Sequence, residues 1–277
     1  MTRVAGERAT AGEAPPRSRL DPRIGPMNLR SPPPAELAVA LHPKVRVLDR
    51  GRVLVGGTPL RVLRLTAEGA RAIAEWGAPS PVGDPPARRA LARRLLDAGV
   101  LSPYPARAAP TSALTVVVPT RDRPAHLARC LEAVRASCPQ SPIVVVDDGS
   151  RDPAAVHAAC AEHGVAVIRH DVSGGAAAAR NSGLAASPTA YVAFVDSDVV
   201  VPRSWAAALI GHFADPCVGA VAPRVQALPP HSGLIGGYEQ RHSALDMGPD
   251  GGLVAPGLPT PYMPSTVVAR TAATEMM

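Results

Sequence analysis

From residue 114 onward, short and continuously apolar runs alternate with longer segments of helical periodicity, and this alternation constrains the fold more than any other feature. Uninterrupted apolar runs are typical of parallel strands that are buried on both faces of a sheet. The predicted strands are residues 114–118, 143–146, 165–168, 191–195 and 218–222, and the predicted helices are residues 125–136, 153–163, 176–185 and 204–213. The alternation predicts an α/β domain with a doubly wound, mostly parallel sheet over residues 111–277.

Residues 36–105 show a different pattern, in which two short β-like runs come before two amphipathic segments. The predicted elements are strands at residues 45–48 and 53–55, a hairpin turn at Asp49-Arg50-Gly51, a helix over residues 67–76, and a second helix that opens at Asp84-Pro85-Pro86 and stops at Gly99. Thr66 can cap the first helix, and glycine is common directly after a helix end. This order predicts a small winged-helix-like module in front of the larger domain.

The positive charge is concentrated in residues 1–110, where basic side chains outnumber acidic ones by 18 to 9, whereas the counts over residues 111–277 are 11 and 14. A basic excess is a feature of proteins with anionic partners. Scattered arginines without interleaved aromatic residues are also typical of a solvated surface, however, so we expect no nucleic-acid partner. Residues 1–35 are rich in Pro and Arg and are predicted to form a disordered arm.

Neither a secretion signal nor a membrane anchor is recognisable in the sequence. No apolar run approaches the roughly 20 residues that a membrane-spanning helix needs, and the N-terminal residues are charged. The cysteines form no CxxC pair, which disfavours a zinc site and favours buried, reduced thiols. They are Cys130, Cys138, Cys160 and Cys217. We therefore expect a cytoplasmic protein without a transmembrane segment.

Polar and acidic residues directly follow three of the predicted strands. The three clusters are Pro119-Thr120-Arg121-Asp122-Arg123, Asp147-Asp148-Gly149-Ser150 and Asp196-Ser197-Asp198. Because ligands of doubly wound sheets bind at the carboxyl ends of the strands, we expect the clusters at one edge. The carboxylates of Asp196 and Asp198 are candidate ligands of a divalent metal, Mn²⁺ or Mg²⁺, that accompanies a diphosphate. Asp148 suits the imide N–H of uracil, or ribose hydroxyls, as a hydrogen-bond acceptor.

Residues 174–181 open a predicted helix with small side chains, which allow a ligand to approach the backbone of a helix N-terminus. The P-loop pattern and the GxGxxG pattern after the first strand are both absent, which disfavours P-loop kinases and dinucleotide-binding oxidoreductases. Arg180 in this segment is a candidate ligand contact. A structural salt bridge to a carboxylate at a strand end is an equally good interpretation of Arg180.

Four segments occur in a specific order and spacing. They are Val116-Val117-Val118-Pro119-Thr120, Val145-Val146-Asp147-Asp148-Gly149-Ser150, Ala179-Arg180-Asn181-Ser182-Gly183-Leu184 and Phe194-Val195-Asp196-Ser197-Asp198. Together they resemble the inverting, family 2 glycosyltransferases of the GT-A fold. The resemblance implies a nucleotide pocket lined by Pro119, Thr120 and Arg121. It also implies that Asp148 recognises uracil with Asp147 beside it, and that Asp196 and Asp198 form the metal-binding DxD motif. Arg121-Asp122 departs from the Tyr-Asn of many members.

Three further segments carry a narrower resemblance: Val55-Gly56-Gly57-Thr58-Pro59, residues 118–124, and Ala222-Pro223-Arg224. They are similar to the glycosyltransferases of the mycofactocin system, which attach glucose to a peptide-derived redox cofactor. Leu65-Thr66 and residues 95–101 resemble, in addition, the small peptide-recognition modules of ribosomal-peptide pathways. In the resembled family the general base is an acidic residue further downstream. We therefore expect the base to lie beyond Met277 and the transferase domain to be incomplete, which leaves the activity of this chain open.

The leading hypothesis is the transfer of a hexose, glucose by resemblance, from a UDP-sugar to a hydroxyl acceptor with inversion. The acceptor implied by the narrower resemblance is a peptide-derived redox cofactor. An alternative hypothesis is a non-catalytic protein that binds a peptide or nucleic acid through residues 40–105 and carries a vestigial transferase domain. A sugar nucleotidyltransferase is a third hypothesis, but Pro119-Thr120-Arg121-Asp122 is a poor match to the Gly-rich loop that it requires.

Overall fold

The computed structural model describes residues 31–105, 110–228, 245–246, 248–254 and 266–271 of the 277-residue chain. The arm predicted for residues 1–35 lies outside the described residues except for its last five. Among the helices that are described, none combines the length and the apolar character that a membrane crossing requires.

Residues 36–105 form a small module of two helices and two three-stranded antiparallel sheets. Its elements are β1 (Ala38–Leu41), β2 (Arg46–Leu48), β3 (Val53–Gly56), β4 (Arg61–Arg64), α1 (Ala67–Glu75), β5 (Ser80–Pro81), α2 (Pro86–Asp97) and β6 (Leu101–Tyr104). The strands pair in the orders β5-β1-β6 and β2-β3-β4. Leu54, Ile73, Trp76 and Leu95 are buried in the core of the module, so the helices pack against both sheets.

The predicted hairpin and both predicted helices of this module are confirmed. Strands β2 and β3 pair across a 3-10 turn at Asp49–Gly51. The Thr66 hydroxyl accepts a hydrogen bond from the Gly69 amide at 3.2 Å and caps α1. Gly99 follows α2 with a φ of +64°, a left-handed conformation that favours glycine. Strands β1, β4, β5 and β6 were not predicted, and the winged-helix arrangement stays a prediction.

The second part of the chain contains a six-stranded sheet. Its strands are β7 (Leu114–Thr120), β8 (Ile143–Asp148), β9 (Ala166–His170), β10 (Tyr191–Phe194), β11 (Ala220–Val221) and β12 (Val267–Arg270), in the order β11-β12-β10-β7-β8-β9. Strands β9, β8, β7 and β10 run parallel, and β12 is antiparallel to β10 and to β11. The predicted mostly parallel sheet is therefore confirmed.

The strand predicted at residues 218–222 needs a correction. Only Ala220–Val221 form a strand, and this strand pairs antiparallel with β12 instead of joining the parallel strands. Ala220 is exposed and Val221 is half-buried, as in a short strand at the edge of a sheet. An apolar run of this length does not reveal its partner, and here the partner strand begins only at Val267, remote in the sequence.

Helices cover both faces of the sheet, as in a doubly wound fold. They are α3 (Pro124–Ser137), α4 (Pro153–Ala161), α5 (Gly175–Ala185) and α6 (Trp205–Ile210). Helices α3, α4 and α6 pack on one face, and α5 packs on the other against Val117, Val146 and Val192. Gly183 permits this close approach, because a Cβ atom there would lie 2.2 Å from Val117 Cγ1. The helix predicted at residues 204–213 ends at Ile210, where a 3-10 turn (Gly211–Ala214) begins.

A buried ion pair joins the small module to the sheet domain. The Arg93 guanidinium on α2 donates to an Asp215 carboxylate oxygen at 2.7 Å, and both residues are less than one-tenth exposed. Burial acts to lower the pKa of Arg93, but the hydrogen bond and charge of Asp215 outweigh it and raise that pKa. The two parts therefore share a fixed contact away from the carboxyl ends of the parallel strands.

Candidate functional site

A cavity of about 520 Å³ lies at the carboxyl ends of β7, β8 and β10, beside the start of α5. The chain adds β8 and β9 on one side of β7 and returns to add β10 on the other, so this is the position where the strand order reverses. Open α/β sheets bind ligands at such positions. The lining residues are Pro119, Thr120, Arg121, Arg123, Asp148, Ser173, Gly175, Ala176, Ala179, Arg180, Asp196, Ser197 and Asp198.

The structure brings all but one of the predicted site residues to this cavity. Those that line it are Pro119, Thr120, Arg121, Asp148, Arg180, Asp196 and Asp198. Asp147 does not line the cavity, and its predicted contact with the nucleotide stays a prediction. Successive residues of a strand point to opposite faces of the sheet, and at the end of β8 only Asp148 reaches the cavity.

Asp147 is instead a structural residue at the end of β8. Its carboxylate is inaccessible to solvent and pairs with Arg169, its register partner on β9. It also accepts a hydrogen bond from the Ser150 amide at 3.0 Å. The side chain therefore joins the ends of two parallel strands and stabilises the loop that follows β8.

Asp148 organises the loop in front of α5. One carboxylate oxygen accepts hydrogen bonds from the Gly174 amide (2.9 Å) and from His170 Nδ1 (2.8 Å). The other accepts from the Ser173 hydroxyl (2.6 Å) and the Gly175 amide (2.8 Å). Burial acts to raise the pKa of Asp148, but these hydrogen bonds outweigh burial and hold the pKa well below its ordinary value. The carboxylate is therefore ionised in the folded protein over the physiological pH range.

His170 extends this network away from the cavity. Its Nε2 lies 2.9 Å from the Ser182 hydroxyl on α5, while Nδ1 faces Asp148. On the cavity side, Arg121 donates to the Ser173 hydroxyl at 2.9 Å. A continuous chain of hydrogen bonds thus connects the end of β7 with the end of β8, the end of β9 and helix α5.

Asp196 and Asp198 have different surroundings from Asp148, since each is paired with an arginine that also lines the cavity. Arg180 contacts an Asp196 oxygen at 2.6 Å, and Arg123 contacts an Asp198 oxygen at 2.7 Å. The Asp196 and Asp198 side chains are 31% and 46% exposed. Of the two interpretations of Arg180 that the sequence left open, the salt bridge is therefore present, and the side chain borders the cavity as well.

Two buried polar atoms of cavity-lining residues have no hydrogen-bond partner among the residues that the structure describes: the Thr120 hydroxyl oxygen and Arg180 Nε. Buried polar groups are nearly always paired, because an unpaired group costs about 1–3 kcal/mol. Both atoms therefore have capacity for a hydrogen bond that the described part of the protein does not supply.

The carboxylates of Asp196 and Asp198 suit a divalent cation such as Mn²⁺ or Mg²⁺. They offer hard oxygen ligands one residue apart at the cavity edge. Within the described ranges, no group of three or more His, Cys, Asp or Glu side chains is arranged to hold a metal ion. Such a pair fits a cation that completes its coordination with water and substrate phosphates, as Mg²⁺ commonly does.

The sequence placed Arg123 in the cluster after β7 without assigning it a role, and it did not identify Ser173. Arg123 lies two residues after Arg121, just before α3, and that loop position was the only available signal. Ser173 lies before the small-residue segment that opens α5, and its partner Asp148 is 25 residues away. Such partners depend on how the strands pair, and a local pattern does not specify them.

Comparison with known proteins gives the class of this domain. Residues 115–248 match the family model described as Glycosyl transferase family 2. The chain therefore contains a family 2 glycosyltransferase domain, and its mostly parallel sheet with the cavity at the strand-order reversal has a GT-A-like fold. The predicted family and fold class are confirmed.

Particular relatives carry the name pre-mycofactocin glycosyltransferase. Two such proteins, from Mycobacterium tuberculosis strains CDC 1551 / Oshkosh and ATCC 25618 / H37Rv, are each 40% identical to this chain over 242 residues. The match covers 87% of this chain and 50% of each relative, so the chain spans about half the length of these relatives. A mannosyltransferase from Pyrobaculum calidifontis, solved with GDP-Man and Mn²⁺, is 28% identical over 42% of this chain and 36% of its own, with a TM-score of 0.38.

Proposed function

We propose that the cavity binds the donor of an inverting glycosyltransferase, which moves a hexose, glucose, from UDP to a hydroxyl acceptor. The single observation that carries this proposal is that Asp148, Asp196 and Asp198 line one cavity at the strand-order reversal. Acidic residues that would repel a diphosphate are expected at a diphosphate site only when a cation is shared with it. The family 2 match over the same residues supports the proposal.

In this proposal Asp196 and Asp198 hold a divalent cation against the diphosphate. When bound, the cation neutralises the diphosphate and stabilises UDP as the leaving group. The start of α5 contributes Gly175 and Ala176, whose small side chains allow phosphate oxygens to approach the helix N-terminus. The buried Thr120 hydroxyl would form a hydrogen bond with a polar atom of the nucleoside. The described part of the protein supplies no partner for this hydroxyl.

Asp148 has a supporting part in this site. All four hydrogen bonds to its carboxylate come from groups of the protein, and three of them come from the loop at Ser173–Gly175. A direct bond to uracil therefore requires that one donor, such as the Ser173 hydroxyl, turns away. We assign Asp148 to the nucleoside end of the cavity because it lines the cavity beside Ser173 and Arg121.

None of the cavity carboxylates is assigned as the general base that activates the acceptor. Asp148 has a pKa well below its ordinary value, which makes it a weak base, and Asp196 and Asp198 are the proposed cation ligands. The name of the relatives supports a peptide-derived redox cofactor as the acceptor. The proposed reaction is a single in-line displacement in which the acceptor oxygen attacks the anomeric carbon while UDP leaves from the opposite face.

Calorimetric titration of the full chain with UDP, with and without Mn²⁺, tests the proposal. We expect UDP to bind about tenfold or more tightly with Mn²⁺, because the cation offsets repulsion between diphosphate and carboxylates. The variant Asp198→Ala should lose this dependence on Mn²⁺. Asp171→Ala is the matched control, since Asp171 is an exposed carboxylate that does not line the cavity.

Two results would contradict the proposal. One is UDP binding of equal strength with and without Mn²⁺, and the other is no UDP binding under either condition. A parallel titration with GDP tests the specificity for the uracil nucleobase, because the proposal requires weaker binding of GDP than of UDP.

A further inference from the structure

Two arginines contact carboxylate oxygens that the proposed function assigns to a divalent cation. Arg180 and Arg123 each place a guanidinium nitrogen 2.6–2.7 Å from a carboxylate oxygen of the proposed cation ligands. Both arginines line the same cavity as those carboxylates. In the structure the negative charge of the DxD motif is thus balanced by the protein itself.

These ion pairs are of a kind that can exchange. The Arg123–Asp198 pair is about half exposed on both sides, at 57% and 46%, and exposed pairs contribute little to stability. The Asp147–Arg169 pair differs, because Asp147 is fully buried and loss of a partner would leave its charge unpaired. The Arg123–Asp198 pair can therefore open at low cost, whereas the Asp147–Arg169 pair cannot.

Arginine is also well suited to bind the diphosphate that the proposed function places in this cavity. A guanidinium presents several donors in a fixed plane and forms paired hydrogen bonds with phosphate oxygens. Arg180 has unused capacity, because its buried Nε has no partner in the described part of the chain while another nitrogen contacts Asp196. A diphosphate in the cavity would offer acceptors to both arginines.

We propose that Arg123 and Arg180 are exchange residues, which hold Asp198 and Asp196 until the donor binds and then transfer to its diphosphate. This inference rests on the proposed function. It implies that the arginines compete with a divalent cation for the carboxylates until nucleotide is present. A divalent cation alone therefore binds weakly, and nucleotide and cation each raise the affinity for the other by the same factor.

The test measures Mn²⁺ binding without nucleotide, from the electron paramagnetic resonance signal of free Mn²⁺ in the presence of the full chain. We expect Arg123→Gln to bind Mn²⁺ about threefold to tenfold more tightly than the wild type, because the Arg123 guanidinium no longer competes for the Asp198 carboxylate. In the presence of saturating Mn²⁺, the same variant should bind UDP about tenfold more weakly, because a phosphate contact is lost.

Two controls separate competition from a general change in charge. Arg151→Gln removes one positive charge from an exposed residue that does not line the cavity, so its Mn²⁺ affinity should equal that of the wild type. Arg123→Lys keeps a positive charge next to Asp198 and should restore weak Mn²⁺ binding. Arg123 is more than half exposed, so neither substitution is expected to prevent folding.

The outcomes separate this inference from the proposed function. If the wild type binds UDP with Mn²⁺ but Arg123→Gln binds Mn²⁺ no more tightly than Arg151→Gln, the exchange is refuted and the donor site stands. If the wild type binds no UDP with Mn²⁺, the proposed function fails and the exchange fails with it. Opposite changes in the affinities for Mn²⁺ and UDP support the exchange.

Discussion

Two pairs of aspartates, at the ends of the strands on either side of β7, have different surroundings. Asp147 and Asp148 end β8, where both side chains are buried and accept hydrogen bonds from the backbone and from neighbouring side chains. Asp196 and Asp198 follow β10, where both side chains are partly exposed and each contacts an arginine at the edge of a cavity. The two pairs look alike in the sequence, and both lie at the carboxyl edge of the same sheet.

The difference shows that burial decides what an acidic strand end can do. A buried carboxylate must have its partners supplied by the fold, because an unpaired charge in the interior is strongly unfavourable. Its partners are then permanent, and the residue stabilises the loops that shape the site. A carboxylate at an open cavity has partly exposed partners, which is compatible with the cation binding proposed for Asp196 and Asp198.

The largest effect that would test this contrast is the loss of the Asp148 carboxylate. We expect Asp148→Ala to lower the free energy of unfolding by about 3 kcal/mol, because four part-buried hydrogen bonds to this carboxylate would be lost at once. Their donors are the Ser173 hydroxyl, the Gly174 and Gly175 amides and His170 Nδ1. Urea denaturation measures the change, with Asp171→Ala as the exposed control. A loss below about 1 kcal/mol would show that the network is dispensable.

The contrast also predicts how stability depends on pH. The pKa of Asp148 is lower in the folded protein than its ordinary value of 3.8, so its stabilising contribution is complete above that value. The contribution is lost as the pH falls toward the folded-state pKa, because the unfolded chain takes up the proton first. We therefore expect the difference in unfolding free energy between wild type and Asp148→Asn to shrink below about pH 4.

Urea denaturation at several acidic pH values measures this difference. A difference that stays constant from neutral pH down to about pH 3 would contradict the role assigned to the ionised Asp148 carboxylate.

The sequence was informative where function follows local pattern. Continuous apolar runs predicted β7, β8, β9 and β10, and the carboxyl ends of three of these strands were predicted to form the site. It was less informative about strands whose partners are remote in the chain. The sequence did not predict β12, which pairs with β10 in a register that sets Arg270 opposite Tyr191. Strand β4 was missed as well, because Arg61–Arg64 is short and begins and ends with arginine.

Side-chain partners were the part of the site that local patterns could not predict. The sequence predicted that both Asp147 and Asp148 lie in the nucleotide site, but in the structure Asp147 pairs with Arg169 while Asp148 reaches the cavity edge. The register of β8 with β9 places Arg169 and His170 beside these aspartates. Register is a property of the whole sheet, so the division of roles between the two residues emerges only when the strands are paired.

The smallest expected effect is the most informative for the exposed pair. We expect Asp198→Ala to change the free energy of unfolding by less than about 0.5 kcal/mol, because its ion pair with Arg123 is exposed on both sides. The same variant is expected to lose the Mn²⁺ dependence of UDP binding. Urea denaturation and calorimetry on one preparation measure both quantities. A loss of stability comparable to that of Asp148→Ala would mean that Asp198 supports the fold. A loss of Mn²⁺ dependence would then follow from altered structure, and the contrast between the two aspartate pairs would no longer hold.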